Sequence, residues 1–379
     1  MFKNIKRYSF IVLTIFFSFI LSDLVFTKIF YNFFFKENLK KSTNIGNVRV
    51  THPVFHHHMK ENSMQIENHQ IRGVSKLITN SLGFKDKENR KIDYKTKKKR
   101  IIFLGDSFTE GIFLNYEDTF VGIIDNYFKN KDPSVEVLNA GVSSYSPTIY
   151  YHKIKYFLEK GLELNHLVVF IDISDVENEA INYKYNKENN AVETKEVESS
   201  FTLSIYASLI RFLKKNLYLS YTVLNSFKDK LLPTPNQKYL TQKQFIKYTV
   251  SNRYVRDKWT INKSIFNRYK LGIKKSLENM SLLKDLCKKN NIKLTIVVYP
   301  WISQIFHKDL NSKQVEIWKK FSKKNNNQFI NLFPIFVNDK DNKKQIYNKI
   351  RKNFIPFDVH YNSRGNKIIA ESFLKVFKY

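Results

Sequence analysis

Three stretches of the 379-residue chain carry residue types that could act together on a bond. The first is "IIFLGDSFTEG" (101–111), where four apolar residues run into Gly105, Asp106 and Ser107. The second is "NAGVSSYSP" (139–147). The third is "FDVHYNSRGN" (357–366), which holds Asp358, His360 and Asn362. Serine is a weak nucleophile unless a base lies within hydrogen-bond reach and a third group orients that base. Asp358 and His360 supply such a pair two positions apart, and on an extended segment both side chains would point the same way. Ser107 also has a plainer reading, because "SFTE" (107–110) fits Ser-x-x-Glu, a helix capping box. Gly111 is a poor residue for a first helical turn. The three stretches together favour an activated serine nucleophile over a cap.

Those side chains need elements to hold them. Ile101–Leu104, Val135–Leu138 and His166–Ile171 read as short buried strands, as do 293–300 and 328–333. Helical spacing covers Asp118–Lys129, Pro147–Lys160, Ile273–Lys289, Lys313–Lys324 and Ser363–Lys378. Strands alternating with helices predict an α/β fold with a parallel sheet covered on both faces. Ligands of such sheets gather beyond the carboxyl ends of the strands. The three stretches fall near such ends, and so does "DISDVENE" (172–179). Asp106, Asp172, Asp175 and Asn362 are therefore candidates for touching substrate.

Here the residues resemble a family. "FLGDSFTEG" (103–111) looks like the first signature block of the SGNH, or GDSL-type, hydrolases. "NAGVSSYSP" resembles the second block, with Gly141 as its key residue. "FDVHYNSRGN" resembles the last, with Asp358, His360 and Gly365 in place. "DISD" (172–175) stands where the third block, Gly-x-Asn-Asp, belongs. The resemblance covers about 101–175 and 292–379. It implies a three-layer α/β/α sandwich, SGNH-hydrolase or flavodoxin-like, with about five parallel strands. It also implies an acyl-ester mechanism with Ser107 as nucleophile, His360 as base and Asp358 as its orienting residue. The oxyanion donors would be Ser107 N–H, Gly141 N–H and, in place of the usual Asn, Ser174. Asp172 replaces the block's Gly, and it is expected to point away from the site or to bind a substrate hydroxyl. The Asp-to-His spacing is two where three is commoner, a form similar to that of extracytoplasmic members acting on polysaccharides.

The chain opens with Lys3, Lys6 and Arg7 before an apolar run from Tyr8 to Thr27, interrupted by Asp23. About 20 residues cross a bilayer. A retained signal anchor is expected over 1–35, with its Phe-rich end at the interface. Basic residues ahead of the run place the rest of the chain outside the cytoplasm, periplasmic or at the cell surface. Lys36, Lys40 and Lys41 beyond it oppose that orientation. Residues 36–100 read as an irregular lead-in or stalk. Within it His52, His56, His57 and His58 read as a surface or lid loop, since consecutive histidines cannot converge on one metal. The hydrolase-like domain is expected over 101–379, with a mainly helical insertion at about 180–265. The stretch 203–232 in that insertion, rich in Leu, Ile and Tyr, fits a helix on a membrane surface or, as expected here, one packed on the domain.

The formal charge is +30, from 64 Lys and Arg against 34 Asp and Glu. Abundant Asn, Ile, Phe and Tyr alongside Lys match an AT-rich genome. No nucleic-acid-binding motif accompanies the charge, so no nucleic-acid partner is expected. One cysteine, Cys287, rules out an intramolecular disulfide and a cysteine metal cage. No metal or organic cofactor is expected. The reading is a membrane-anchored serine esterase or O-acyl (acetyl) transferase. Its substrate would be an ester-bearing glycan or small acyl ester, with a membrane-bound acyltransferase as a possible partner. The alternative is an inactive SGNH-fold binding or assembly subunit of an envelope polysaccharide system.

Overall fold

The computed structural model describes residues 2–29, 48–69, 73–195, 209, 212–213, 215–231, 240–250 and 256–379. The chain divides into two units. One joins Met1–Asn47 to Glu196–Tyr239; the other joins Val48–Lys195 to Leu240–Tyr379.

The larger unit is built on twelve strands. They are β1 (Arg49–His52), β2 (His56–Met59), β3 (Met64–His69), β4 (Gly73–Thr79), β5 (Lys85–Asp86), β6 (Lys99–Leu104), β7 (Val135–Asn139), β8 (His166–Ile171), β9 (Tyr183–Asn186), β10 (Ala191–Thr194), β11 (Lys293–Val298) and β12 (Gln328–Asn331). Eight of them form one sheet in the order β12-β11-β8-β6-β7-β5-β4-β3. The five from β12 to β7 are parallel. Residues 100–104, 166–171 and 294–298 are buried at every position. A strand buried on both faces has no polar side, which is why these runs are apolar apart from Arg100, His166 and Thr295. The fold is thus an α/β/α sandwich with five parallel strands, as expected.

The path of the chain selects where a site can form. From β6 it steps outward to β7 through the helix Phe120–Lys131, then back across β6 to β8 through Pro147–Glu159. Right-handed crossovers in opposite directions place these two helices on opposite faces. Helix Ser363–Val376 packs on Phe120–Lys131, and the 27-residue helix Lys263–Lys289 packs on Pro147–Glu159. The direction reverses between β6 and β8, so the crevice beyond their carboxyl ends is the topological switch point.

Residues 36–100 are not an irregular stalk where the structure describes them. The strands β3, β4 and β5 extend the sheet antiparallel beyond β7, and β1 and β2 form a hairpin. The hydrophobic period was hidden because the inward positions of β4 include Ser75 and Thr79 as well as Leu77. These strands also cover what would otherwise be an open edge at β7. Nor do the four histidines lie on a loose loop. His56, His57 and His58 are in β2, His58 is buried, and His52 stacks on Phe55 with ring centroids 3.5 Å apart. The 180–265 stretch departs from a mainly helical insertion too. It begins with the β9–β10 hairpin, and only its middle part, Glu196–Tyr239, belongs to the smaller unit.

In the smaller unit, helix Phe2–Phe26 and the helical turn after it supply an apolar stretch, Arg7–Ile29, long enough to cross a bilayer, with mean hydropathy 2.3. A second helix, Tyr218–Leu231, packs against it.

Candidate active site

Strand β6 ends at Leu104, and the four-residue helix Ser107–Glu110 begins three positions later. Its N-cap is Asp106, whose Oδ1 accepts from Phe108 N–H at 2.9 Å. The capping role belongs to Asp106, and Ser107 is left free as the first helical residue. The helix stops at once because Gly111 takes a left-handed conformation (φ +68°), which glycine adopts without steric cost. The serine therefore stands on a single tight turn at the carboxyl end of a central strand.

His360 arrives from 253 positions away. Ser107 Oγ lies 2.8 Å from His360 Nε2, and His360 Nδ1 donates to Asp358 Oδ1. The pair is not held by extended backbone, as the spacing of two suggested. Residues 357–360 are a bend in which Asp358 Oδ1 also accepts the His360 backbone N–H at 3.0 Å. The loop is pinched by Ile355 N–H donating to His360 C=O at 2.9 Å and by a bridge between Phe354 and Tyr361. Tyr361 anchors it to the end of β11 through a hydrogen bond to Pro300 C=O. Phe108 packs on the imidazole with centroids 4.4 Å apart, so the residue after the serine also orients the base.

Behind the serine lies a buried carboxyl trio. One oxygen from each of Asp106, Asp172 and Asp175 lies within 4.8 Å of the others. Asp172 accepts from Tyr299 Oη at 2.8 Å, Trp301 Nε1 at 2.6 Å and Ser174 N–H at 2.7 Å. Asp175 Oδ2 accepts from Tyr150 Oη at 2.9 Å, while its Oδ1 has no hydrogen-bond partner among the described residues. Burial, then the charge of Asp172, pushes Asp106 well above the usual carboxylate range. Burial, then Asp172 and Asp106, does the same to Asp175. Like charges this close cannot all ionise. The consequence reaches Ser107, whose Oγ is 3.3 Å from Asp106 Oδ2. Ser107 Oγ is the donor in that contact, and raising the Asp106 pKa weakens its pull on the serine proton relative to His360. Among the described residues this is the one set of three with metal-like spacing. Within it, Asp172 already takes donors from Tyr299, Trp301 and Ser174.

These contacts correct part of the substrate-binding set. Asp172 is buried and its oxygens are taken by internal donors, so it does not reach a substrate hydroxyl. Asp106 and Asp175 are buried beside it. Asn362 is the N-cap of the last helix: Oδ1 accepts from Gly365 N–H at 3.0 Å, and Nδ2 donates to Lys352 and Phe354 carbonyls. Its role is to start that helix. Gly141 differs from the oxyanion expectation as well. Its N–H donates to Asn139 Oδ1 at 3.0 Å. A Cβ there would come within 2.7 Å of Glu110 N and 2.8 Å of Thr109 Cβ, so glycine is required for the loop to pack on the serine's turn. Ser107 N–H, at the start of a helix, has no intrahelical acceptor. Ser174 is buried on the turn after β8, and its own N–H is spent on Asp172.

Sequence reasoning missed the residues that brace this turn. In the sequence, Glu110 shows only as the last residue of a capping-box pattern. It is wholly buried, and its Oε2 accepts from Ser143 N–H at 2.7 Å and Ser143 Oγ at 2.8 Å. Its Oε1 takes an ion pair from Arg49 on β1. Burial opposes the Glu110 carboxylate, but Arg49, Lys85 and Ser143 outweigh it and hold its pKa below the ordinary value. Lys153 Nζ, also buried, donates to Ala140 C=O at 2.7 Å and supports the same loop. Tyr299 and Trp301 had a visible signal, since "YPW" follows β11 directly, at a strand's carboxyl end.

No family model and no curated protein matches the chain. Solved structures do match. A member of the lipolytic protein G-D-S-L family from Veillonella parvula DSM 2008 is 14% identical, with 73% of this chain and 97% of that one covered and a TM-score of 0.37. A catalytic mutant of an acetylxylan esterase from Geobacillus stearothermophilus is 12% identical, with 76% and 98% covered and a TM-score of 0.38. A psychrotrophic esterase from Pseudoalteromonas sp. is 12% identical, with 73% and 96% covered and a TM-score of 0.36. At these values, what this chain does has to rest on its own distances.

Proposed function

We propose that this protein is a membrane-anchored serine esterase or O-acyl transferase of the SGNH type, acting on an ester of a cell-envelope glycan. The observation that carries the chemistry is the 2.8 Å contact between Ser107 Oγ and His360 Nε2, with Asp358 on the far side of the imidazole. Ser107 attacks the acyl carbonyl while His360 Nε2 takes its proton. The tetrahedral oxyanion meets the Ser107 N–H. The same proton then passes from Nε2 to the leaving alcohol, leaving an acyl-serine. Water, or a second hydroxyl in the transferase case, reverses these steps. Asp358 keeps the proton on Nδ1 and offsets the imidazolium charge. The glycan preference rests on the likeness of "DVHYN" to polysaccharide-modifying members, and the anchor on the apolar helix at the N-terminus. A membrane-bound acyltransferase would be the donor partner if the enzyme transfers.

The test uses the full chain in detergent with a chromogenic acetyl ester and a fluorophosphonate probe. Activity and labelling that vanish together in Ser107→Ala and His360→Ala support the reading; full activity in both variants sinks it. One observation favours the second reading, a non-catalytic assembly subunit: the Gly141 N–H is already committed to Asn139. In that case the probe would leave Ser107 unmodified. Orientation is checked separately by an alkaline phosphatase fusion after residue 45, which is active only if that point lies outside the cytoplasm.

A further inference from the structure

Asp23 interrupts an otherwise apolar span, and its surroundings say why it is tolerated. It lies 16 residues beyond Arg7, or about 24 Å along a helix at 1.5 Å per residue, near the far side of a hydrocarbon core roughly 30 Å thick. An unpartnered carboxylate there would be costly. Asp23 and Thr27 are instead buried. Asp23 Oδ1 accepts from Leu219 N–H at 2.9 Å and from Thr27 Oγ1 at 3.0 Å. Its Oδ2 accepts from Ser220 N–H at 2.8 Å and Ser220 Oγ at 2.6 Å, and Thr27 Oγ1 accepts from Tyr218 N–H at 2.9 Å. Three N–H groups of the first turn of helix Tyr218–Leu231, which no intrahelical carbonyl can satisfy, thus end on two side chains of the apolar span. The negative charge also suits the positive end of that helix.

The helix held in this way is amphipathic. Tyr218–Thr222 are half-buried, whereas Val223, Leu224 and Phe227 are 48%, 55% and 59% exposed. Their spacing puts them on one side of the helix. Ser226 and Lys215 are exposed and polar nearby. At 14 residues the helix is too short to span a bilayer. The first turn of the helix is held at Asp23 and Thr27, near the end of the apolar span, so its exposed apolar residues start close to where that span would leave the hydrocarbon. We propose that helix Tyr218–Leu231 is an interfacial membrane element, hung by its first turn on Asp23 and Thr27, with Val223, Leu224 and Phe227 in the headgroup–acyl boundary. This rests on the reading of the N-terminal helix as an anchor. It departs from the sequence expectation that 203–232 packs on the domain.

Nitroxide labels on the full chain in phosphatidylcholine–phosphatidylglycerol nanodiscs test it. Leu224→Cys, Phe227→Cys, Phe16→Cys and Lys187→Cys are each made in a Cys287→Ser background, with Lys187 an exposed hairpin position as the aqueous reference. Positions 224 and 227 should collide with oxygen and be shielded from a water-soluble nickel chelate, with a ratio at least about threefold above Lys187, as for groups ~5–10 Å into the boundary. Nickel access equal to that at Lys187 overturns the proposal. So does shielding from both reagents, which would mean that protein, including a second copy, covers the face. Phe16 reports on the anchor alone: if it is open to nickel, the anchor reading fails, whereas lipid-embedded 16 with aqueous 224 sinks only the interfacial helix. Adding Asp23→Ala to Leu224→Cys should sharpen the spectrum and weaken the nickel shielding. If both are unchanged, Asp23 does not hold the helix.

Discussion

Ser107, His360 and Asp358 act as a unit, so each is expected to be costly alone. Ser107→Ala and His360→Ala should each lower kcat on a chromogenic acetyl ester by at least about 10³-fold. Asp358→Asn keeps an oxygen for the His360 backbone N–H but disturbs the hydrogen bond that sets the tautomer, and a loss on the order of 10⁴ is expected. Retained activity in Asp358→Asn would mean that another group orients the imidazole. The single positions that mattered were readable only in part. Ser107 and His360 stood out by type and neighbours. Asp172 did not reveal its function, because the donors that occupy it come from residues 127 and 129 positions away.

Among elements, the short helix 107–110 and the loop 139–145 behave as one piece. Glu110 joins them through Ser143, and Arg49 ties both to β1. Removing one partner of a buried pair leaves the other uncompensated. Glu110→Gln is expected to lower stability by about 3 kcal/mol and to reduce kcat with little change in KM, since it displaces the serine's turn. An unchanged melting temperature would contradict this. Gly141→Ala should be comparably harmful through overcrowding, about 1–3 kcal/mol by thermal unfolding, because its methyl group would strike the same turn. A fully stable Gly141→Ala variant would show that the loop can shift. The bracing was not legible because Glu110 sits in a pattern that a capping box explains equally well.

For the molecule as a whole, the buried carboxyls set how stability follows pH. Burial and neighbouring carboxylates raise Asp106 and Asp175 in the fold, so they keep protons to higher pH than in the unfolded chain, where they titrate near about 4. The folded state then binds more protons, so stability falls as pH rises from about 4 towards their raised values. Glu110 has the opposite sign: its contribution is present above its ordinary pKa and is lost on acidification. Asp175→Asn removes one titrating group while keeping an acceptor for Tyr150. Its melting temperature relative to the unmodified protein should therefore climb between pH 5 and pH 8. A difference that does not vary with pH would rule out a raised Asp175 in the fold.

The parallel core could be read from one dimension, because strands buried on both faces must be apolar throughout and helices between them must repeat about every 3.6 residues. Helix Lys313–Lys324 and strand His166–Ile171 occur at the expected residues for this reason. The antiparallel extension β3–β5 escaped, since Ser75 and Thr79 face inward and carry no hydrophobic period. The contact of Ser107 with His360, the diversion of Glu110 to Ser143 and the capping of a distant helix by Asp23 were decided only in three dimensions. Local pattern specifies which face of an element is apolar. Which polar atoms then meet depends on strand order and on close packing between segments hundreds of residues apart, and neither is written in the spacing of neighbours.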